Sequence, residues 1–190
     1  MKKIALFASG SGTNVENLIT YFQGHSLVNI ALVVSNRPDA YVLERSSRLG
    51  VPSVVFLKDD WQTGDKITAC LSENEIDFIV LAGFLMRIPD MLLHNYPDKI
   101  INIHPSLLPK YGGKGMYGNN VHEAVINARE KESGITIHYI NKVYDAGEII
   151  FQKKCAVEVN DSPSDLAKKV HALEYECYPR IIEQIVGKSS

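Results

Sequence analysis

Through its first half the chain alternates short apolar runs of strand length with stretches of helical spacing. The runs are Lys3 to Ala8, Ile30 to Ser35, Ser53 to Phe56, Phe78 to Ala82 and Ile100 to Ile103. Between them, Asn14 to Phe22, Ala40 to Leu49 and roughly Asp65 to Glu75 place apolar residues at helical intervals. Strand, helix and strand in regular succession predict a parallel sheet covered by helices on both faces. Past residue 134 the pattern changes. Ile135 to Ile140 and Ile149 to Val157 are joined by the turn-rich segment Asn141 to Gly147, which predicts two antiparallel strands. An amphipathic helix then begins near Ser162 and Pro163, with Leu166, Val170, Leu173, Cys177 and Ile181 on its apolar stripe and Pro179 expected to kink or restart it.

The pattern predicts an α/β fold: a Rossmann-like, open, mostly parallel twisted sheet with helices on both faces and an antiparallel C-terminal strand pair. Length agrees, since 190 residues with 45% hydrophobic content can bury one full core, so residues 1–190 are expected to form a single domain. The 20 basic and 22 acidic residues nearly balance, giving no bulk attraction to nucleic acid or anionic membrane. No nucleic-acid or membrane partner is expected, and a small-molecule partner is favoured. Cys70, Cys155 and Cys177 are scattered and include no CxxC pair, which points to reduced structural thiols. The apolar run at the start is cut short by Gly10 and Gly12 and reads as a strand, not a signal peptide. A cytoplasmic location is expected.

Candidate chemistry sits at two strand ends. Ser9-Gly10-Ser11-Gly12-Thr13-Asn14 falls where the first strand becomes the first helix, so backbone N–H groups and the helix dipole can converge on one anion. The alternative is a tight βα turn that binds nothing. Val15 occupies the third glycine of a dinucleotide fingerprint and no lysine follows as a P-loop requires, so a monophosphate suits the loop better than NAD or ATP. The second segment is Asn102-Ile103-His104-Pro105-Ser106-Leu107-Leu108-Pro109-Lys110-Tyr111. Asn102 and His104 lie two apart, so in a strand both side chains project from one face, at the strand end where open α/β sheets bind ligands.

NIHPSLLPKY resembles the signature of the folate-dependent formyltransferases, and SGSGTN resembles the phosphate loop of their glycinamide ribonucleotide branch. Gly134-Ile135-Thr136-Ile137-His138 and Asp145-Ala146-Gly147 are similar to later motifs of the same family, with Asp145 at the position of its catalytic aspartate. The likeness extends along essentially the whole chain. It implies formyl transfer from 10-formyltetrahydrofolate, a co-substrate, to the amine of glycinamide ribonucleotide in purine biosynthesis. Asn102 and His104 would stabilise the oxyanion, and Asp145 beside the imidazole would favour its charged form and assist proton movement. The resemblance further implies ribonucleotide contacts at Gly12, Thr13, Asn14, His171 and Glu174. It implies folate contacts at Leu85, Met86, Arg87 and Ile88, where the family's GFMRIL reads Gly83-Phe84-Leu85-Met86-Arg87-Ile88, and at Asn141, Lys142, Val143 and Tyr144. Backbone groups would carry most of the folate recognition.

Two further readings stand beside this one: a 10-formyltetrahydrofolate hydrolase that directs water to the formyl group, and a non-catalytic phosphometabolite-binding protein. The hydrolase is disfavoured because the first strand starts at residue 3 and leaves no room for a preceding regulatory domain; a tRNA-directed relative is disfavoured because the chain ends at Ser189 and Ser190 after one helix. No metal site is expected, since His25, His94, His122, His138 and His171 show no ligand spacing. The glycine-rich stretch Gly112 to Gly118 is either a flap over the site or a surface loop. Trp61 is expected to serve packing, and the chain to be a monomer or homodimer.

Overall fold

In a computed structural model, which describes residues 1–188, the strands are β1 (Lys2–Ala8), β2 (Val28–Ser35), β3 (Ser53–Val55), β4 (Phe78–Leu81), β5 (Ile100–His104), β6 (Glu132–Tyr139) and β7 (Ile149–Ala156). They make one sheet in the order β3-β2-β1-β4-β5-β6-β7. β1 is parallel to β2 and to β4, β2 is parallel to β3, and β6 and β7 are antiparallel. The mostly parallel sheet with its antiparallel end is the one the apolar pattern predicts. Contacts group the chain into two units, Met1–Ile101 with the residues from Pro179 onward, and Asn102–Tyr178. Ser189 and Ser190, the chain end named above, lie outside the described residues.

In the first unit β1 is the central strand, and Ile4 to Ala8 are buried without break because a parallel strand is covered on both faces. α1 (Thr13–Tyr21) buries Val15, Leu18 and Ile19, and α2 (Val42–Arg48) packs against it. α3 (Asp60–Thr63), α4 (Asp65–Glu73) and α5 (Asp90–Asn95) form a second helical group. Trp61 is a packing residue, as expected: its indole meets Phe7, Phe56 and Phe84 at ring separations of 5.7, 6.5 and 4.7 Å. Its Nε1–H donates to the Phe56 carbonyl at 2.8 Å, so the buried polar end is satisfied. The strand order reverses between β1 and β4, and the loops after both strands are joined there. The Ser9 N–H donates to Gly83 O at 3.0 Å and the Leu85 N–H to Ser9 Oγ at 2.9 Å.

In the second unit the hairpin of β6 and β7 carries the segment that follows β5. Alternate residues of β6 share a face, and Gly134 and Thr136 both meet that segment. A Cβ on Gly134 would collide with the Lys153 carbonyl and stand 2.9 Å from Leu107 Cδ2, so only glycine lets the backbones close here. Thr136 Oγ1 donates to Ser106 O at 2.6 Å and accepts the Leu108 N–H at 3.0 Å. β6 starts at Glu132, three residues before the apolar run suggests, because cross-strand pairing reaches Glu132 opposite Ala156 and does not require an apolar side chain. α6 (Asn119–Asn127) buries Val121, His122 and Val125.

α7 (Pro163–Lys188) is continuous through Pro179, so the proline does not restart the helix. Its buried face is wider than the predicted stripe, taking in Tyr178, Ile182 and Val186, and it departs from it at one position: Leu173 is half-exposed, and Glu174, only 5% exposed, takes the inward place. The 3.6-residue period carries the inward face from Val170 to Glu174.

Burial, with His171 and His104 nearby, pushes the His122 imidazole down to about 4, and burial likewise lowers His138. Both are neutral above the ordinary value of 6.5. As pH falls from 6.5, the unfolded chain takes up protons that the folded chain refuses, so stability is full at neutral pH and declines toward pH 4. His122 alone accounts for roughly 2–3 kcal/mol of that decline. Urea denaturation at pH 7.5, 5.5 and 4.5 should show it, and His122→Asn should reduce the slope by up to one proton. Gly134→Ala should cost about 2–4 kcal/mol in the same assay. Gly10→Ala, where a Cβ meets nothing within 4 Å, should cost far less.

Candidate active site

Four side chains from β5, β6 and the loop after β6 form one polar cluster within the second unit, with His104 and His138 buried and Asn102 and Asp145 half-buried. Asn102 and His104 lie on the same face of β5, as their spacing predicts. Asn102 Nδ2 donates to His138 Nε2 at 3.2 Å. His138 Nδ1 stands 3.0 Å from the Tyr139 carbonyl, which can only accept, so Nδ1 carries the hydrogen. The lowered affinity of His138 for a second proton leaves Nε2 as a lone pair, which fixes the Asn102 amide with its NH2 toward the ring.

Asp145 lies between the two imidazoles. Its Oδ2 is 3.7 Å from His104 Nδ1 and its Oδ1 is 3.6 Å from His138 Nε2. Oδ2 also accepts the Gly113 N–H at 2.8 Å. Asp145 occupies the left-handed region at φ 52, a strained conformation for a residue with a side chain and one common at sites where a group must be aimed. The following glycine has a steric cause: a Cβ on Gly147 would collide with the Tyr139 carbonyl, so the Asp-Ala-Gly turn closes only with glycine at its third position.

His104 is 4% exposed and His138 is fully buried. His104 Nε2 donates to the Tyr111 carbonyl at 2.7 Å. Both ring nitrogens of His104 therefore face protein atoms in this conformation. A direct bond from Nε2 to a substrate oxygen requires that the Tyr111 carbonyl be exchanged for it.

The remaining predicted positions fall as follows. In the second unit Glu174 is buried on α7 and His171 is exposed on the same helix, stacked on Tyr175 with ring centroids 6.3 Å apart. Burial, reinforced by the Glu174 carboxylate, holds the Tyr178 phenol well above its ordinary range. Asn141, Lys142, Val143 and Tyr144 form an exposed turn closed by the Val143 N–H on Asn141 Oδ1 at 2.8 Å. In the first unit Gly12 caps α1 in the left-handed conformation, with Thr13 and Asn14 opening the helix. Leu85 and Arg87 are exposed and Met86 half-exposed. Arg87 pairs with Asp90 at 2.9 Å, and the Ile88 side chain is buried.

His138, Tyr111 and Gly113 lie in motifs legible in the sequence, but the sequence alone assigns them no role at the site. His138 had a signal: it stands two residues beyond Thr136 and four beyond Gly134, on the β6 face that meets the segment after β5. The other two act through backbone atoms and leave no mark in side-chain chemistry. Among the described residues, no group of three or more His, Cys, Asp or Glu could hold a metal ion, and no helix is long and apolar enough to cross a membrane.

Residues 2–182 match the family model described as formyl transferase. The chain is 37% identical over 190 residues to a chloroplastic phosphoribosylglycinamide formyltransferase of Arabidopsis thaliana, covering 97% of itself and 65% of that protein. It is 36% identical to the phosphoribosylglycinamide formyltransferase of Bacillus subtilis, covering 98% of itself and 96% of the relative. Among solved structures, the phosphoribosylglycinamide formyltransferase of Anaplasma phagocytophilum superposes with a TM-score of 0.90 at 34% identity, covering 98% of this chain and 88% of that one. The enzyme from Bacillus halodurans gives 0.89 at 34% identity, covering 100% and 97%. Family model, sequence relatives and fold agree over nearly the full length, and the chain belongs to the formyl transferase family.

Proposed function

We propose that the chain transfers the formyl group of 10-formyltetrahydrofolate to the amine of glycinamide ribonucleotide, in purine biosynthesis and in the cytoplasm. The observation that carries this reading is the Asn102, His138, Asp145 and His104 cluster, in a chain whose relatives are named for that reaction. Formyl transfer needs no enzyme nucleophile. The substrate amine attacks the formyl carbon, the carbonyl oxygen gains negative charge, and the folate nitrogen leaves as the carbon–nitrogen bond breaks and takes up a proton. The amine nitrogen loses one.

Asn102 supplies a donor already oriented by His138. His104 supplies a second donor when Nε2 exchanges the Tyr111 carbonyl for the developing oxyanion. Asp145 faces the other nitrogen of His104, so a proton moving through that ring has a carboxylate beside it. Gly12, Thr13 and Asn14 are assigned to the substrate phosphate, Glu174 and His171 to the rest of the ribonucleotide. The segments Leu85 to Ile88 and Asn141 to Tyr144 are assigned to the folate. Burial of Ile88 and pairing of Arg87 with Asp90 support recognition there through main-chain groups rather than those two side chains.

His104→Ala and Asn102→Ala should each lower kcat by on the order of a hundredfold or more while leaving ribonucleotide affinity within a few fold, read from folate absorbance and calorimetric binding. The double variant should lose less than the product of the two, because both donors serve one oxygen. Cofactor consumption without the amine would instead identify a hydrolase, and binding without turnover a phosphometabolite carrier.

A further inference from the structure

The glycine loop of the first unit is held from behind by α2. The Val42 N–H donates to Gly10 O at 3.1 Å, and Arg45 Nε, one helical turn further on, donates to Ser11 O at 2.9 Å. A trans peptide points its C=O and the following N–H in opposite directions. Pinning the Gly10 and Ser11 carbonyls onto α2 therefore turns the N–H groups of Ser11 and Gly12 away from it, both to the same side. Gly12 must be glycine here, since its φ is +75 and a Cβ would collide with the Val42 side chain.

The same guanidinium meets a second group. Glu16 lies in the first turn of α1, and a carboxylate there stabilises the helix dipole but repels any anion bound at the helix start. Arg45 Nη1 contacts Glu16 Oε2, and Arg48 Nη2 reaches Oε1 at 3.2 Å. Arg45 is the enclosed member of this pair of cations: its side chain is 19% exposed against 52% for Arg48, and its guanidinium lies 5.0 Å from the centre of the Tyr41 ring. Arg45 itself is directed at Ser11 and Glu16, so its effect on an anion is exerted through them.

We propose that Arg45 is a positioning residue for phosphate recognition, aiming the Gly12 N–H by holding the Ser11 carbonyl and neutralising Glu16 beside the anion. This rests on the assignment of the glycine loop to the substrate phosphate. The role is selective: it concerns the phosphate and leaves the formyl-transfer step untouched.

The test compares glycinamide ribonucleotide with its dephosphorylated riboside as amine substrates for wild type, Arg45→Ala, Arg45→Lys and Arg45→Ala/Glu16→Gln, after thermal melting confirms that each is folded. Arg45→Ala should raise KM for the ribonucleotide about tenfold, with kcat within about twofold and kcat/KM for the riboside unchanged. Arg45→Lys, which keeps the charge and loses the fixed fork, should fall between. Removing the Glu16 charge in the double variant should restore part of the lost affinity. A loss shared equally by both substrates, or a phosphate-selective loss that Glu16→Gln leaves untouched, overturns the proposal. A wild type that does not prefer the ribonucleotide over the riboside overturns the phosphate assignment itself.

Discussion

The buried hydroxyl of Thr136 is the fixed point of the cluster unit. A chain that leaves a buried strand end and turns back over the sheet carries backbone donors and acceptors that water cannot reach, and each must find a partner. Thr136 Oγ1 serves three of them: it donates to Ser106 O and accepts from Leu108 N–H and from Gln152 Nε2 at 2.9 Å. Gln152 passes the same bracing to Leu108 O at 3.0 Å. With Gly134 allowing Leu107 to approach the hairpin, the segment from Ser106 to Leu108 is fastened to β6 and β7. His104 just before that segment and Tyr111 just after it stand within hydrogen-bond reach of each other.

Much of this was legible in the sequence wherever periodicity carried it. The first five strands and the helices α1, α2 and α4 follow from apolar runs and helical spacing, because a parallel sheet buries both faces and is written in uninterrupted hydrophobic residues. The pairing of Asn102 with His104 on one face follows from the strand period of two. Three short or polar-edged helices escaped: α3 with four residues and α5 with six are too short to show a period, and α6 follows a glycine-rich stretch that obscures its start. The inward place of Glu174 escaped because hydrophobicity is the signal by which a stripe is traced, and a buried carboxylate breaks it. His138 stands in a family-like motif with Gly134 and Thr136, but a histidine in an apolar strand has the same appearance whether it packs or orients another group, so its role toward Asn102 escaped.

Neutral His138 makes a specific chemical contribution. Were it charged, Nε2–H would be a donor facing the Asn102 amide, and the amide would have to present its oxygen to the ring. The buried, neutral ring with Nδ1–H on the Tyr139 carbonyl leaves one arrangement, in which Asn102 has a second N–H to offer elsewhere. Desolvation is the leading cause of the lowered proton affinity of His138, and it outweighs the opposing pull of Asp145. The orientation of the Asn102 amide is thus set by the burial of a histidine on the neighbouring strand, 3.2 Å away.

The glycine-rich stretch after Tyr111 bears on the same atoms. The Gly113 N–H is bonded to Asp145 Oδ2, and a Cβ on Gly112 would stand 2.5 Å from Leu108 Cδ2 and 3.3 Å from Asp145 Cβ, so this stretch passes directly against the aspartate. Gly113, Gly115 and Gly118 all adopt positive φ, conformations in which other residues are strained. Tyr111 O holds one nitrogen of His104, and Gly113 N–H holds the carboxylate that faces the other. Three consecutive residues therefore govern both sides of the imidazole. Any movement of Tyr111 to Gly113 that breaks the His104 Nε2 contact also bears on the Gly113 bond to Asp145, so the hydrogen bonding of the imidazole and of the carboxylate are coupled through one short piece of backbone.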